Sequence, residues 1–271
     1  MNGGVERSWR VSEWRGRALA WGLVPFAALV VVWTLLVHAA HVQPVFLPPP
    51  EAMPGVVWKM FSEEGIAGDI MVSAGRVLAG FVAAVALATP LGIWMGYSRR
   101  VSRIFDPIIG FVRYMPVPVF IPLCILWFGS GDLEKVVIIF LGAFFQLVLM
   151  VEDAASRVRR DFFEAAMMVG APRHDLVLRV LCPAALPEIF DGYRICIGWA
   201  WTYLVVAEIV GATTGMGYYI IKAQRYLMVP QIFAAMVLIG MLGMLTDFAF
   251  AALHARLFPW AVRSRGASSE P

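Results

Sequence analysis

Four ionisable residues interrupt stretches of sequence that are otherwise apolar, and they are Arg76, Arg194, Glu208 and Asp247. An ionised group inside a hydrocarbon layer is costly, so such residues mark function unless they pair. If the stretches are helices that rise ~1.5 Å per residue, Arg76 and Glu208 lie at matching depth in the outer third, and Asp247 lies too deep to reach Glu208. We expect Arg76 and Glu208 to pair, and favour a structural ion pair over a place on a solute pathway. Arg194 is expected to snorkel or to support the cytoplasmic loop that precedes its span, residues 161–183.

No arrangement typical of catalysis or metal binding accompanies these charges. A phosphate-binding GxxxxGK[ST] loop needs a lysine that follows glycine. The three lysines, none of which follows a glycine, are Lys59, Lys135 and Lys222. A HExxH metal site is also absent, and Gly129-Ser130-Gly131 reads as a flexible turn because no base is assigned near it. We therefore expect no enzyme activity, no catalytic or metal-ligating residue and no cofactor.

A polar and amphipathic segment, Asp161 to Pro183, separates two long apolar stretches and is called the docking loop below. It predicts two short helices bent at Gly170, because glycine supplies the positive φ that ends a helix. Asp161 and Glu164 have the spacing of a capping box, and Pro183 is expected to end the second helix. Its apolar side chains, unusual in a connection exposed to water, indicate a protein partner; the alternative is an ordinary membrane-surface loop.

The order of residues in the docking loop resembles the EAA loop of ABC importer permeases. The motif positions are Glu164, Ala165, Ala166, Gly170, Val180 and Pro183. Two departures are mild, since Val180 stands where Ile is usual and Cys182 where Leu is usual. In that family the loop carries the helix that seats in a cleft of the ATP-hydrolysing subunit, and the resemblance implies this role here. Hydrolysis must then come from a separate subunit, because the chain lacks a phosphate-binding lysine.

The composition is that of a polytopic membrane protein. Of 271 residues, 60% are hydrophobic and 15% are charged, whereas about a quarter of a soluble domain is charged. The formal net charge of +3 is too small to indicate a nucleic-acid partner. The chain is therefore expected to be all-α, to lie in a lipid bilayer and to bind no nucleic acid.

Six transmembrane helices are predicted from stretches of about 20 apolar residues. They span residues 18–40, 69–97, 104–128, 136–151, 188–212 and 232–253. Together they form a permease domain, 18–256, that includes a cytoplasmic loop, 152–183, and is flanked by cytoplasmic segments 1–17 and 257–271. Prolines are expected to break the third span. Gly92 and Gly96 in the second span have the spacing of close helix packing.

The distribution of basic residues predicts the orientation. Arginines concentrate before the first span, in the loop 152–183 and in the tail, so both termini are expected in the cytoplasm of a bacterial cell, with the spans in its inner membrane. Lys222 and Arg225 then fall in an outer segment. They are candidates for drawing an anionic substrate toward the entrance, although a solvated interfacial face explains them equally well.

Beyond the docking loop, the chain resembles the nitrate/sulfonate/taurine branch of ABC importer permeases. The segments that carry this resemblance are Phe46 to Pro50, Asp106-Pro107, Trp127 to Gly129, Ala207 to Val210, Ala212 to Tyr218 and Leu257 to Trp260. The resemblance implies a type I importer fold and a homodimer of permeases. It also implies two ATP-binding subunits and a periplasmic or lipid-anchored solute-binding protein. The expected solute is a small anion, a sulfonate such as taurine or nitrate.

A secondary transporter or channel that no ATPase drives is the alternative function. An inverted internal repeat would favour a secondary transporter, and the sequence shows none. A neighbouring gene for an ATP-binding subunit would favour the importer.

Overall fold

The computed structural model describes residues 24–39, 43 and 46–260, and all regular elements among them are helices. In chain order these are α1 Val24–His38, α2 Met53–Ser62, α3 Ile66–Tyr97, α4 Arg99–Arg113, α5 Ile121–Phe128, α6 Asp132–Ser156, α7 Arg160–Met168, α8 Arg173–Gly211, α9 Met216–Arg225 and α10 Val229–Leu257. Short 3-10 turns precede α2 and α5, at Pro50–Ala52 and Val117–Phe120. The expected all-α class is confirmed.

Four of these helices, α3, α6, α8 and α10, are long and apolar enough to cross a membrane. The pair Arg99–Arg113 and Val117–Phe128 passes the same test as one span bent by 89°. Helix α1 is a shorter apolar helix, and residues 18–23 and 40 of the predicted first span lie outside the described residues. The described part of the chain therefore holds four or five spans, and the count of six stays a prediction.

Several helices extend beyond the predicted spans, because backbone hydrogen bonding continues past the apolar residues. Helix α6 covers Asp132–Ser156 instead of 136–151, and α8 begins at Arg173 instead of at residue 188. Helix α4 begins at Arg99, between the predicted second and third spans. The predicted cytoplasmic loop 152–183 is accordingly helical over most of its length.

The predicted break in the third span exists, but not every proline contributes to it. Pro107 lies inside α4, where a proline removes one hydrogen bond without ending the helix. The break comes at Tyr114 to Pro116, because Pro116 adopts an extended conformation with φ −60° and ψ 124°. Pro118 and Pro122 then occupy first-turn positions, where a missing N–H costs no helical hydrogen bond.

The described chain divides into two compact units. One holds the described residues up to Glu64 with Ala223–Ala234. Within it the ring of Trp33 stacks on that of Phe233 at 5.9 Å, and Trp33 Nε1 donates to the carbonyl of Pro48.

The second unit holds Gly65–Lys222 with the described residues from Ala235 onward. Its core is an apolar cluster contributed mainly by α3, α6 and α8. Glycines let α3 approach α6, as their spacing predicts. A Cβ on Gly92 would lie 2.6 Å from Val151 Cβ, and one on Gly96 would lie 2.6 Å from Ala155 Cβ. The close contact between α3 and α6 holds the ends of these two helices in a fixed relation.

Candidate functional site

The docking loop folds as two helices joined at Gly170. Helix α7 ends in a Schellman motif, in which the Gly170 N–H donates to the Met167 carbonyl at 2.9 Å and the Ala171 N–H donates to the Ala166 carbonyl at 3.0 Å. Gly170 has φ +82°, and no atom lies within 4 Å of the position that a Cβ would occupy. The requirement for glycine is therefore conformational rather than steric, because L residues rarely adopt this φ.

Two predictions about the ends of these helices were wrong. Helix α7 begins after Arg159 with no side-chain cap, and Asp161 pairs with Arg159 instead of closing a capping box with Glu164. Pro183 does not end the second helix, because Leu176–Leu181 forms a π-helical turn that leads directly into Cys182–Gly211. The wider turn leaves room for the proline ring, and α8 continues to Gly211.

The first helix presents an apolar surface. Phe162, Met167, Met168 and Val169 are exposed, and Met168 and Val169 are 89% and 84% exposed. Glu164 and Ala165 are exposed too, while Ala166 and Val180 are half-buried. Large apolar side chains exposed together on a surface helix indicate a site that binds a protein partner.

Helix α7 also borders a cavity of about 460 Å³ at the docking-loop end of the second unit. Glu164 and Met167 line it together with Gly96 of α3, Ser102 of α4 and Glu152 of α6. A displacement of α7 would therefore act on the ends of three helices.

The far end of the same unit carries a group of polar residues around Arg76, called the Arg76 cluster. Arg76 Nη1 lies 2.6 Å from Glu208 Oε1, and Nη2 lies 2.5 Å from Asp132 Oδ1. The guanidinium also donates to Thr214, to its carbonyl at 2.9 Å and to its hydroxyl at 3.1 Å. The cluster thus joins α3, α6, α8 and the segment that follows α8.

Glu208 is buried and accepts several hydrogen bonds besides those of Arg76. The Ser73 hydroxyl lies 2.8 Å from Oε1, and the Gly217 N–H donates to Oε2 at 2.8 Å. Asp69 Oδ1 accepts from the Gly215 N–H at 2.6 Å. Gly215 has φ +106°, and a Cβ there would lie 2.3 Å from Glu208 Oε1. The Thr-Gly-Met-Gly segment after α8 is therefore wrapped around a carboxylate.

The sequence did not reveal two further ion pairs. Lys135 is buried in the first turn of α6 and lies 2.7 Å from Glu134 Oε2. Its Nζ also donates to the carbonyls of Ser130, Gly131 and Gly211 at 3.2–3.3 Å. The described histidines contact residues other than Ser130: His38 lies against Glu51, His174 against Asp175 and His254 against Asp191, while His41 lies outside the described residues.

The second unexpected pair joins Arg194 of α8 to Asp247 of α10. Both oxygens of Asp247 accept from the guanidinium at 2.5 Å, and the side chains are 42% and 40% exposed. The expectation that Arg194 snorkels or supports the docking loop was therefore wrong. Depth was the available signal: Arg194 lies ~26 Å along α8 from its Gly211 end, and Asp247 lies ~27 Å along α10 from its start.

Lys222 and Arg225 are exposed on α9. No ion pair is seen for either residue among the described residues. Their role at an entrance stays a prediction.

The sequence of this chain is similar to those of membrane components of transport systems. Residues 88–262 match the family described as binding-protein-dependent transport system inner membrane component. The chain is 32% identical to the taurine transport system permease protein TauC of Escherichia coli over 92% of this chain and 93% of that protein. It is 28% identical to the nitrate import permease protein NrtB of Synechocystis over 87% of this chain and 88% of that protein.

The fold is similar to that of a solved transporter. A chain in the inward-facing structure of the MetNI methionine ABC transporter superposes with a TM-score of 0.63 at 20% identity, covering 70% of this chain and 95% of that one. This likeness concerns the fold, and it confirms the expected importer-permease architecture.

Proposed function

The chain belongs to the family of binding-protein-dependent transport system inner membrane components, and on this premise we propose that it carries a small oxyanion-bearing solute into the cell. It is the permease subunit of an ABC importer, and its family is one of transport components rather than enzymes. Membership of this family argues against the alternative of a secondary transporter or channel.

The observation that carries the proposal is the docking loop. Helix α7 has an exposed apolar surface and ends in a Schellman motif at Gly170, so it is suited to seat in a cleft of an ATP-binding subunit. Because α7 also borders the cavity between the ends of α3, α4 and α6, movement of the ATP-binding subunit would reach the spans directly. Glu164, Ala165, Ala166, Gly170, Val180 and Pro183 are the proposed coupling positions.

The proposed solute is a sulfonate, such as taurine, or nitrate. The named relatives TauC and NrtB transport such oxyanions, and the family resemblance covers most of this chain. Oxyanions suit bidentate recognition by arginine, which several spans of this chain contain.

The proposed assembly contains two copies of this permease, two ATP-binding subunits and a periplasmic or lipid-anchored solute-binding protein. We propose six spans in the inner membrane, with both termini in the cytoplasm, so that the docking loop faces the ATP-binding subunits. The Arg76 cluster then lies near the outer surface, where it acts as a structural ion pair that holds the spans together.

Lys222 and Arg225 are proposed to draw the anion toward the outer entrance. Both side chains are exposed, and attraction between exposed charges weakens as salt is added. Replacement of both by Gln should raise the KM for uptake and reduce its dependence on salt. Unchanged kinetics would remove this role.

The experiment is uptake by proteoliposomes that hold the permease, its ATP-binding subunit and its solute-binding protein. Labelled taurine, an alkanesulfonate and nitrate are supplied separately, each with and without internal ATP. We expect uptake of at least one of them that requires ATP and the binding protein. Uptake that follows an ion gradient and ignores ATP would contradict the proposal.

A further inference from the structure

Arg113 differs from Arg76 and Arg194, which lie in other spans of the second unit, in how its charge is compensated. Arg76 contacts two carboxylates, and Arg194 binds both oxygens of Asp247. The contacts seen for the Arg113 guanidinium among the described residues are both with Tyr114, whose hydroxyl accepts from Nη2 at 2.9 Å and whose ring centre lies 4.7 Å from Cζ. Most of its N–H donors are left for another acceptor.

The depth of Arg113 follows from its neighbours on α6. Arg113 lines a cavity of about 50 Å³ together with Gln146 and Tyr203. Gln146 lies ~21 Å along α6 from Asp132 and ~15 Å from Ser156, which places it near the middle of a hydrocarbon core ~30 Å thick. Arg113 is nevertheless exposed, and a bare guanidinium at that depth does not face lipid. It must face protein or water.

A polar stripe along α4 favours water. Residues three or four apart lie on one face of a helix, and one such face of α4 holds Arg99, Ser102, Asp106, Gly110 and Arg113. Arg99 and Ser102 line the large cavity at the docking-loop end, so the stripe climbs from that end toward the middle of α6. Gly110 has no atom within 4 Å of the position of a Cβ, so space is open one turn before Arg113.

The helix break supports the same reading. The chain turns by 89° directly after Arg113, between Arg99–Arg113 and Val117–Phe128. Irregular backbone at membrane depth is tolerated where it is buried in protein or lines a water-filled path. A break, an uncompensated cation and an open polar stripe therefore meet at one place.

We propose that Arg113 is the residue that binds the oxyanion group of the solute at the midpoint of the transmembrane path. Its free N–H donors bind two oxygens of a sulfonate or nitrate group, and the polar stripe of α4 gives the solute a route to the cytoplasm. The proposal rests on the proposed function, since it assumes an anionic solute and an inward path.

The test replaces the charge chemically. Arg113→Cys is made in a chain whose Cys124, Cys182 and Cys196 are replaced by Ala, and the importer is purified with its ATP-binding subunit. One part is treated with 2-aminoethyl methanethiosulfonate, which adds a cation, and another with 2-sulfonatoethyl methanethiosulfonate, which adds an anion. Labelling is measured by mass spectrometry, and uptake is measured after reconstitution.

We expect Arg113→Cys to lower uptake at low solute concentration roughly tenfold or more, as the loss of a charge-assisted hydrogen bond predicts. The cationic reagent should restore most of the uptake, and the anionic reagent should restore none. The matched control places the cysteine at Arg194, another partly exposed arginine of the spans. Asp247→Asn is combined with Arg194→Cys, so that no unpaired carboxylate remains. Uptake by this control should change less than twofold with either reagent.

Three results would overturn the proposal: normal uptake by Arg113→Cys, equal uptake after the two reagents, or no labelling at residue 113. If the Arg113→Cys complex is not recovered, Arg113→Lys and Arg113→Gln replace it. Lys should then retain more uptake than Gln, and equal loss would contradict a role for the charge. Absence of uptake by the unaltered importer would instead refute the proposed function.

Discussion

Arg76 Nη1 lies 2.6 Å from Glu208 Oε1, and the two side chains are only 6% and 0% exposed. Because the pair is desolvated, removal of Arg76 leaves the Glu208 carboxylate without a cation and is expected to cost about 3–5 kcal/mol, whereas removal of Glu208 leaves Arg76 paired with Asp132 and should cost less. The two replacements, Arg76→Met and Glu208→Gln, should therefore cost less together than the sum of their separate costs. The free energy of unfolding of the purified chain in denaturing detergent gives this double-mutant cycle.

The control for this cycle is Lys222→Gln, an exposed position whose replacement should change the free energy of unfolding by less than about 0.5 kcal/mol. Simple additivity of the Arg76 and Glu208 costs would count against a coupled pair.

Gly215 and Gly240 provide a second matched comparison. A Cβ on Gly215 would lie 2.3 Å from Glu208 Oε1, and the residue has φ +106°, whereas no atom lies within 4 Å of a Cβ on Gly240 in α10. Gly215→Ala should destabilise the chain by more than about 1 kcal/mol through strain and displacement of the carboxylate. Gly240→Ala should be neutral or slightly stabilising, because alanine favours a helix. Equal stability of the two variants would contradict this prediction, since it would mean that the segment around Glu208 can shift to accept a Cβ without cost.

The contact between Arg194 and Asp247 predicts that a variant in which the two residues are exchanged folds better than a variant that lacks only one of the charges. Asp247→Asn leaves a guanidinium without a carboxylate inside a span, so the amount of folded protein extracted from membranes should fall. Exchange of the two residues, Arg194→Asp with Asp247→Arg, should restore most of that amount. If the exchanged protein is recovered as poorly as Asp247→Asn, the contact is not the reason for either charge.

The purified chain alone should hydrolyse no ATP, because no lysine of the sequence follows a glycine as a phosphate-binding loop requires. The measurement is phosphate release by homogeneous protein, with and without its ATP-binding subunit. Turnover that survives removal of copurifying ATPases would contradict the assignment of hydrolysis to a separate subunit.

The sequence predicted features that depend on the type of a residue and on its position along a helix. The bend at Gly170 follows from the ability of glycine to adopt a positive φ, and the contact of Arg76 with Glu208 followed from the matched depth of two charges. The close approach at Gly92 and Gly96 followed from their spacing. In each case the type of the residue and its position in the helix were enough to predict the feature.

What the sequence did not reveal depends on tertiary contacts. Lys135 follows an exposed turn in the sequence, yet it is buried because Glu134 and three carbonyls accept its protons. The continuation of α8 through Pro183 depends on a π-helical turn, which no sequence pattern predicted. Asp132 carries no sequence signal of a partner, and only the fold brings Arg76 to it.

The central claim is that the docking loop joins ATP hydrolysis to transport, and Gly170 offers the sharpest test. Because no atom would contact a Cβ there, substitutions act through φ alone. Valine is strained at φ +82°, by more than about 1–2 kcal/mol, whereas asparagine tolerates this region. Gly170→Val and Gly170→Asn therefore differ in whether they permit the bend between α7 and α8.

The deciding measurement compares membrane insertion, copurification of the ATP-binding subunit and ATP-dependent uptake on one preparation of each variant. Both variants should insert at the level of the unaltered protein, because Gly170 lies outside the spans. Gly170→Val should lose the ATP-binding subunit and uptake, while Gly170→Asn should retain both. Full retention of the subunit and of uptake by Gly170→Val would contradict the account.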